Sequence, residues 1–176
     1  MAKIIVYGSQ YGTAKVYAEE LARQTGIEIS PYDEAKNLQE YQVIIHIGGV
    51  YEEGVDGLKA SLFKAGRDNE LIIITVGLAD VDTKENTDKL KAMIKKQISQ
   101  EDYKRAKIFH LRGGIDYKNL NFIQKFMMKM VYKKVKKVAE NEKTDEMKAM
   151  IESYEDKVDF IDFSRLAPIL EEINKL

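Results

Sequence analysis

The chain contains no cysteine and only two histidines among its 176 residues. Without cysteine it has no disulfide, no thiolate nucleophile and no cysteine-ligated iron–sulfur cluster of its own. The two histidines, His46 and His110, fall inside predicted strands. They are expected to be satisfied within the fold rather than to hold a metal. No apolar run approaches the roughly 20 residues needed to span a bilayer. Nothing resembles a signal peptide, since the chain enters a strand at Lys3 with no extended apolar segment before it. The expected compartment is the cytoplasm.

Charge is unevenly distributed. The overall formal charge is −1. From Lys118 to Val138 there are seven lysines (Lys118, Lys125, Lys129, Lys133, Lys134, Lys136 and Lys137) and no acid, which leaves −8 on the remainder. An acidic body with one basic arm implies a localised interaction surface, not a generally basic nucleic-acid binder. Within the arm, Leu120, Phe122, Ile123, Phe126, Met127, Met130 and Val131 recur at helical spacing between the lysines. That pattern fits an interfacial amphipathic helix on an anionic membrane, through Lys118 to Lys137. It equally fits a helix docked on the domain with its lysines in water.

Short Ile- and Val-rich runs alternate with amphipathic ones. The strand candidates are 3–7, 27–30, 42–47, 71–76 and 107–111. Helices are predicted over 15–25, 58–64 and 83–99, the last with Leu90, Met93, Ile94 and Ile98 on one stripe. Strands apolar throughout and alternating with helices predict a parallel sheet covered on both faces. Ligands of such sheets bind at the carboxyl ends of the strands. Glycine gathers at those ends, in Gly8–Ala14, Gly48–Gly54, Gly77–Asp80 and Arg112–Tyr117. Close approach of backbone to a flat ligand is the expected reason.

The first of these loops, Gly8-Ser9-Gln10-Tyr11-Gly12-Thr13-Ala14, joins a strand to a helix start. Free N–H groups in a first helical turn and the helix dipole favour a phosphate there. Ser9 and Thr13 are expected to add hydroxyl donors. The loop lacks the Gly-Lys-Ser/Thr of a nucleotide-triphosphate loop and the three-glycine dinucleotide spacing. An ordinary strand-to-helix turn is the alternative on this loop alone.

Together these residues resemble the flavodoxin family. Tyr7 to Ala14 is similar to its FMN phosphate loop, and Ile47-Gly48-Gly49-Val50-Tyr51 to its second, flavin-contacting loop. Thr75–Leu78 and Leu111–Tyr117 resemble the branch of menaquinone-dependent protoporphyrinogen dehydrogenases. The resemblance implies one α/β domain over residues 1–176. Its five-stranded parallel sheet would have the order 2-1-3-4-5, with a lysine-rich helical insertion over 118–150 after the last strand.

The resemblance also implies a cofactor site. FMN would be held by Ser9, Gln10, Tyr11, Gly12, Thr13, Ala14, Gly48, Gly49, Val50, Tyr51, Gly77, Leu78, Gly113 and Gly114. Ala14 stands where many relatives carry a hydroxyl. Tyr51 would lie against the ring, or else be a loop tyrosine. The Gly48–Gly49 carbonyls would turn toward the reduced flavin. Glu52 and Glu53 would place charge near the ring or be solvated. Asp80 and Asp116 are proton-acceptor candidates or turn residues. Arg112 would meet an acidic group or form a surface ion pair. No catalytic residue can be assigned. The implied function is FMN redox chemistry with a redox partner protein. The alternative is a quinone-linked protoporphyrinogen dehydrogenase peripheral at the inner face of the membrane.

Overall fold

The computed structural model describes residues 1–176. Strands β1 (Lys3–Gly8), β2 (Glu28–Pro31) and β3 (Val43–Tyr51) are followed by β4 (Gly54–Val55), β5 (Glu70–Gly77) and β6 (Ala106–Arg112). The parallel order is β2-β1-β3-β5-β6, and β4 turns back antiparallel on the end of β3. Apart from that return, the order is the expected one. Helices α1 (Thr13–Thr25), α2 (Leu58–Lys64), α3 (Lys84–Gln97) and the short α4 (Gln100–Arg105) connect the strands.

Side chains of a strand point alternately to opposite faces. Here both faces are apolar. Ile5, Ile45, Ile47, Ile72 and Ile74 turn to one side, with Ala14, Tyr17, Ala18 and Leu21 of α1 packed against them. Those four helix residues are spaced i, i+3, i+4, i+7 and form one buried stripe. Ile4, Val6, Ile44 and Leu71 turn to the other side, over Ala35 and Leu38, while Ile73 meets Leu58 and Ile94. Each fully buried isoleucine contributes about 1.5–3 kcal/mol of transfer free energy, so the sheet centre is the main source of stability. Gly26, at φ 69°, ends α1 and donates its N–H to the Ala22 carbonyl.

Beyond β6 the chain leaves the sheet. Strand β7 (Gly114–Asp116), α5 (Phe122–Lys136), α6 (Asp145–Glu152) and β8 (Lys157–Asp159) form an excursion, and β7 pairs antiparallel with β8 at its base. Asn121 and Gln124 cap α5 reciprocally. Tyr132 of α5 stacks on Tyr154 with ring centroids 3.8 Å apart. The chain then returns through α7 (Ala167–Lys175), whose Ile169 and Ile173 join the α1 side of the core.

Two boundaries differ from the sequence reading. Residues 48–51, expected as a loop, continue β3. Gly48 lies opposite both Gly8 and Thr75, Gly49 opposite Val76, and Val50 and Tyr51 opposite Val55 and Gly54 of β4. Pairing with two neighbours outweighs glycine's weak strand preference. The helix expected over 83–99 ends at Gln97, and Ser99 opens α4 by accepting the Asp102 N–H.

Candidate functional site

The register aligns Gly8 with Gly48 and Gly77 with Arg112, so the carboxyl ends of four strands meet at one edge of the sheet. Over this edge lies a cavity of about 1270 Å³. Its floor contains Gln10, Tyr11, Thr13 and Ala14 from the first loop, Gly49, Val50 and Tyr51 from β3, Gly77 and Leu78 from β5, and Gly113 and Gly114. Of the fourteen sequence-expected cofactor residues, Ser9, Gly12 and Gly48 do not line it.

Ser9 and Gly12 shape the first loop. Gly12 caps α1 at φ 96°, and no side chain caps the helix. The N–H groups of the first turn are therefore left for a ligand. The Gly12 N–H donates to Ser9 Oγ at 3.1 Å, which leaves the Ser9 hydroxyl proton available to an oxyanion. Thr13 departs from expectation. Its hydroxyl donates to the Gly114 carbonyl and joins the first loop to the fourth.

Tyr51 is buried. Its hydroxyl accepts the Gln10 N–H at 2.9 Å, and its ring meets Tyr11 edge-on at 5.7 Å. Burial pushes the phenol pKa up. The ring braces the first loop and leaves the cavity one aromatic wall.

The glycines at the strand ends answer to the protein's own packing. A Cβ on Gly8 would collide with the Asp56 carbonyl, and one on Gly48 with Val55. A Cβ on Gly77 would collide with Glu146, and one on Gly114 with the Val158 carbonyl. Packing within the chain is thus a reason for glycine at these positions in addition to the expected approach of a flat ligand. The Gly49 carbonyl is also committed, since it accepts the Asp56 N–H at 2.9 Å. It is not free to turn toward a ring. The peptides without a ladder partner are those of the turn at Glu52 and Glu53.

The third loop is clamped from two sides. Both carboxylate oxygens of Glu146 accept the Leu78 N–H, at 2.8 and 2.9 Å, and one also accepts the Ala79 N–H at 3.1 Å. Burial raises the Glu146 pKa above the usual carboxylate value, against these N–H groups and Arg112. Arg112 donates to the Leu78 carbonyl at 2.8 and 3.1 Å and stacks 3.6 Å from the Phe160 ring centroid. It forms no surface ion pair, the second of the two roles expected for it.

Asp80 accepts the Asp82 N–H and Asp116 accepts the Lys118 N–H, so both act as turn residues. His46 is fully enclosed, with Nε2 2.9 Å from the Asp56 carbonyl and Nδ1 3.1 Å from Ser61 Oγ. Desolvation lowers its pKa to about 4, so it is a neutral core group at pH 7. His110 pairs with Thr75 Oγ1 at 2.7 Å, and its pKa is likewise lowered to about 4 by burial.

The roof of the cavity comes from the excursion. Met127, Met130 and Val131 of α5 and Met147 and Met150 of α6 face the floor, with Lys133, Lys134 and Lys137 at the margin. Gln124 donates to the Gln10 carbonyl at 3.0 Å, and Lys134 pairs with Glu52 at 3.0 Å. Together with Glu146, one side chain of the excursion thus reaches each of the first three strand-end loops. The sequence placed the lysine-rich segment on a helix. It gave no sign that Gln124 and Glu146 belong to the site, because both contacts span distant parts of the chain.

The sequence matches the family model described as flavodoxin domain over residues 4–143. Solved structures similar to the chain include a flavoprotein from Lactobacillus acidophilus NCFM in complex with FMN, at 12% identity, 63% coverage of this chain, 92% of that chain and a TM-score of 0.44. Another is the Trp repressor binding protein from Bacillus subtilis, at 14% identity, 63% and 82% coverage and a TM-score of 0.44. A third is a single-site mutant of flavodoxin from Pseudomonas aeruginosa, at 20% identity, 76% and 95% coverage and a TM-score of 0.35. No curated protein sequence matches the chain significantly.

Proposed function

This chain belongs to the flavodoxin domain family, and from that premise we propose that it is a redox protein that transfers electrons through bound FMN. The observation that carries the reading is the uncapped start of α1, at the edge of the sheet where the other strand-end loops converge. When bound, the flavin supplies the one- and two-electron chemistry. The N–H groups at the start of α1 and the Ser9 hydroxyl hold its phosphate, an arrangement the helix dipole favours. Tyr11, Tyr51 and Val50 offer the ring apolar and aromatic surface. Leu78, held at both its N–H and its carbonyl, fixes the third wall. Met127, Met130 and Val131 of α5 offer the ring an apolar cover from above.

The test is direct. Purified protein, as isolated or after incubation with FMN and gel filtration, should carry flavin absorbance and quench flavin fluorescence. Protein that stays colourless with excess FMN and leaves its fluorescence unchanged overturns the reading.

A narrower reading is favoured by the size of the cavity, which exceeds the roughly 300–1,000 Å³ common for a single small-molecule site. Methionines are adaptable apolar walls, and lysines stand at the margin. Room for an organic substrate beside the flavin supports a membrane-associated, quinone-linked enzyme of the protoporphyrinogen dehydrogenase kind. No helix is long and apolar enough to cross a membrane, so its contact with a bilayer is peripheral. Anaerobic reduction of the bound FMN by protoporphyrinogen, followed by reoxidation with a menaquinone analogue, is its expected signature. If neither occurs and electrons exchange rapidly with a soluble flavoprotein reductase, the protein is an electron carrier.

A further inference from the structure

We propose that the outward face of α5 is a docking surface for an anionic lipid bilayer. Helix α5 is held on the domain by Met128 and Val135, which are buried. A helix merely packed on the domain would present its lysines to water and hide its aromatics. Here Phe122 is 86% exposed, Ile123 68% and Phe126 59%. Phe122 and Phe126 are one turn apart, with Ile123 beside them, so the three form one apolar patch at the start of the helix. None of the three lines the cavity, and so neither cofactor nor substrate would cover them.

Charge selects the partner. Of the seven lysines from Lys118 to Lys137, only Lys134 meets an acid. The unpaired lysines flank the patch and continue along the helix. A convex apolar patch ringed by unpaired lysines suits a headgroup layer, where side chains of this kind enter the acyl boundary and the lysines meet lipid phosphates. A second copy meeting the same face would set its own unpaired lysines against these.

Met127 and Met130 follow the patch along the same helix and face the cavity. Docking would therefore set the cavity mouth beside the acyl boundary and give a lipid-soluble electron acceptor a dry route. That consequence rests on the cofactor reading above. The docking itself does not.

The experiment is co-sedimentation of the full chain with vesicles of phosphatidylcholine containing 30% phosphatidylglycerol, and with phosphatidylcholine alone. Flavin fluorescence quenching is read separately on the same protein without vesicles. The expected result is sedimentation with the anionic vesicles only, weakened by high salt. Each juxtamembrane lysine contributes about 1 kcal/mol, or roughly fivefold, so K125E/K129E should lower the partition coefficient more than about tenfold. F122S/F126S should abolish the salt-resistant part. Both variants should keep the parent's circular dichroism and FMN binding, because the altered side chains lie outside the core and the cavity. No sedimentation of the parent at low salt overturns the proposal. So does equal binding by both variants, or sedimentation with a concentration-dependent dimer in place of vesicles. Loss of FMN binding with vesicle binding intact would overturn the cofactor reading alone.

Discussion

Glu146 of α6 accepts the backbone N–H of Leu78 through both carboxylate oxygens, although 68 residues separate the two in the chain. The contact joins the roof of the cavity to its floor. With Gln124 on Gln10 and Lys134 on Glu52, it makes the excursion a strap across the ends of β1, β3 and β5. Whatever enters or leaves the cavity must pass beneath or around it.

Removing the Glu146 carboxylate should therefore speed cofactor exchange. Hydrogen bonds to a charged group contribute about 1.5–3 kcal/mol each, so Glu146→Ala should raise the open population of α6 by about tenfold or more. FMN release into a scavenging apoprotein should accelerate by that order. Hydrogen exchange should quicken over 145–152 and at Leu78 and Ala79, and remain slow in β1 and β3. Unchanged release and exchange would mean that the strap does not gate the site.

Much of the fold can be read along the chain because its signals are local. Alternating apolar side chains on both faces mark β1, β3 and β5, and the i, i+3, i+4, i+7 stripe of α1 marks its inner face. The first loop is legible for the same reason: a strand, small residues and a helix start lie within twelve positions. Contacts far apart in sequence left no such trace. Gly48 and Gly49 look like a loop until their partners on both sides are known. The two strands β7 and β8 are three residues each and exist only as a pair. Glu146 reads as an ordinary surface acid in a charged helix until α6 is laid over β5.

The buried His46 links stability to pH. Its pKa is lowered to about 4 in the folded chain, against about 6.5 when unfolded. The unfolded state therefore binds more protons between these values, and stability rises with pH across the interval. The contribution is complete above pH 6.5 and is lost as pH falls toward 4. For a group this well enclosed the shift corresponds to about 3 kcal/mol. The melting temperature should fall steeply from pH 6.5 to 4. In His46→Gln that part of the slope should flatten, at the cost of a lower value at pH 7. An unaltered slope in the variant would assign the acid sensitivity elsewhere, with His110 the next group to replace.

Two glycines of the first loop should respond differently to alanine. Gly8 has an ordinary strand conformation, but a Cβ there would run into the Asp56 carbonyl. Overpacking of this sort costs about 1–3 kcal/mol, and relief would push the segment after β4 away from β1. Gly12 meets nothing within 4 Å, but holds φ 96°. Alanine there pays only the left-handed penalty of about 1–2 kcal/mol. Gly8→Ala should lower the melting temperature of the apoprotein the more. Gly12→Ala should act chiefly on FMN affinity, since it reorients the N–H groups at the start of α1. Calorimetry of the apoproteins and fluorescence titration with FMN separate the two.

Tyr51 tests whether bracing or ring contact matters more. Its hydroxyl is the acceptor for the half-buried Gln10 N–H, and a hydrogen bond of this kind contributes about 0.5–1.5 kcal/mol. Tyr51→Phe keeps the aromatic wall and removes the acceptor. It should loosen the first loop and weaken FMN binding up to about tenfold, while the FMN that does bind stays quenched. Tyr51→Ala removes both, and bound FMN should then regain part of its fluorescence. If Phe restores affinity fully, the hydroxyl is dispensable and the ring alone supports the site. If Ala leaves quenching intact, Tyr11 or another wall supplies the aromatic contact, and Tyr51 serves only to hold the loop.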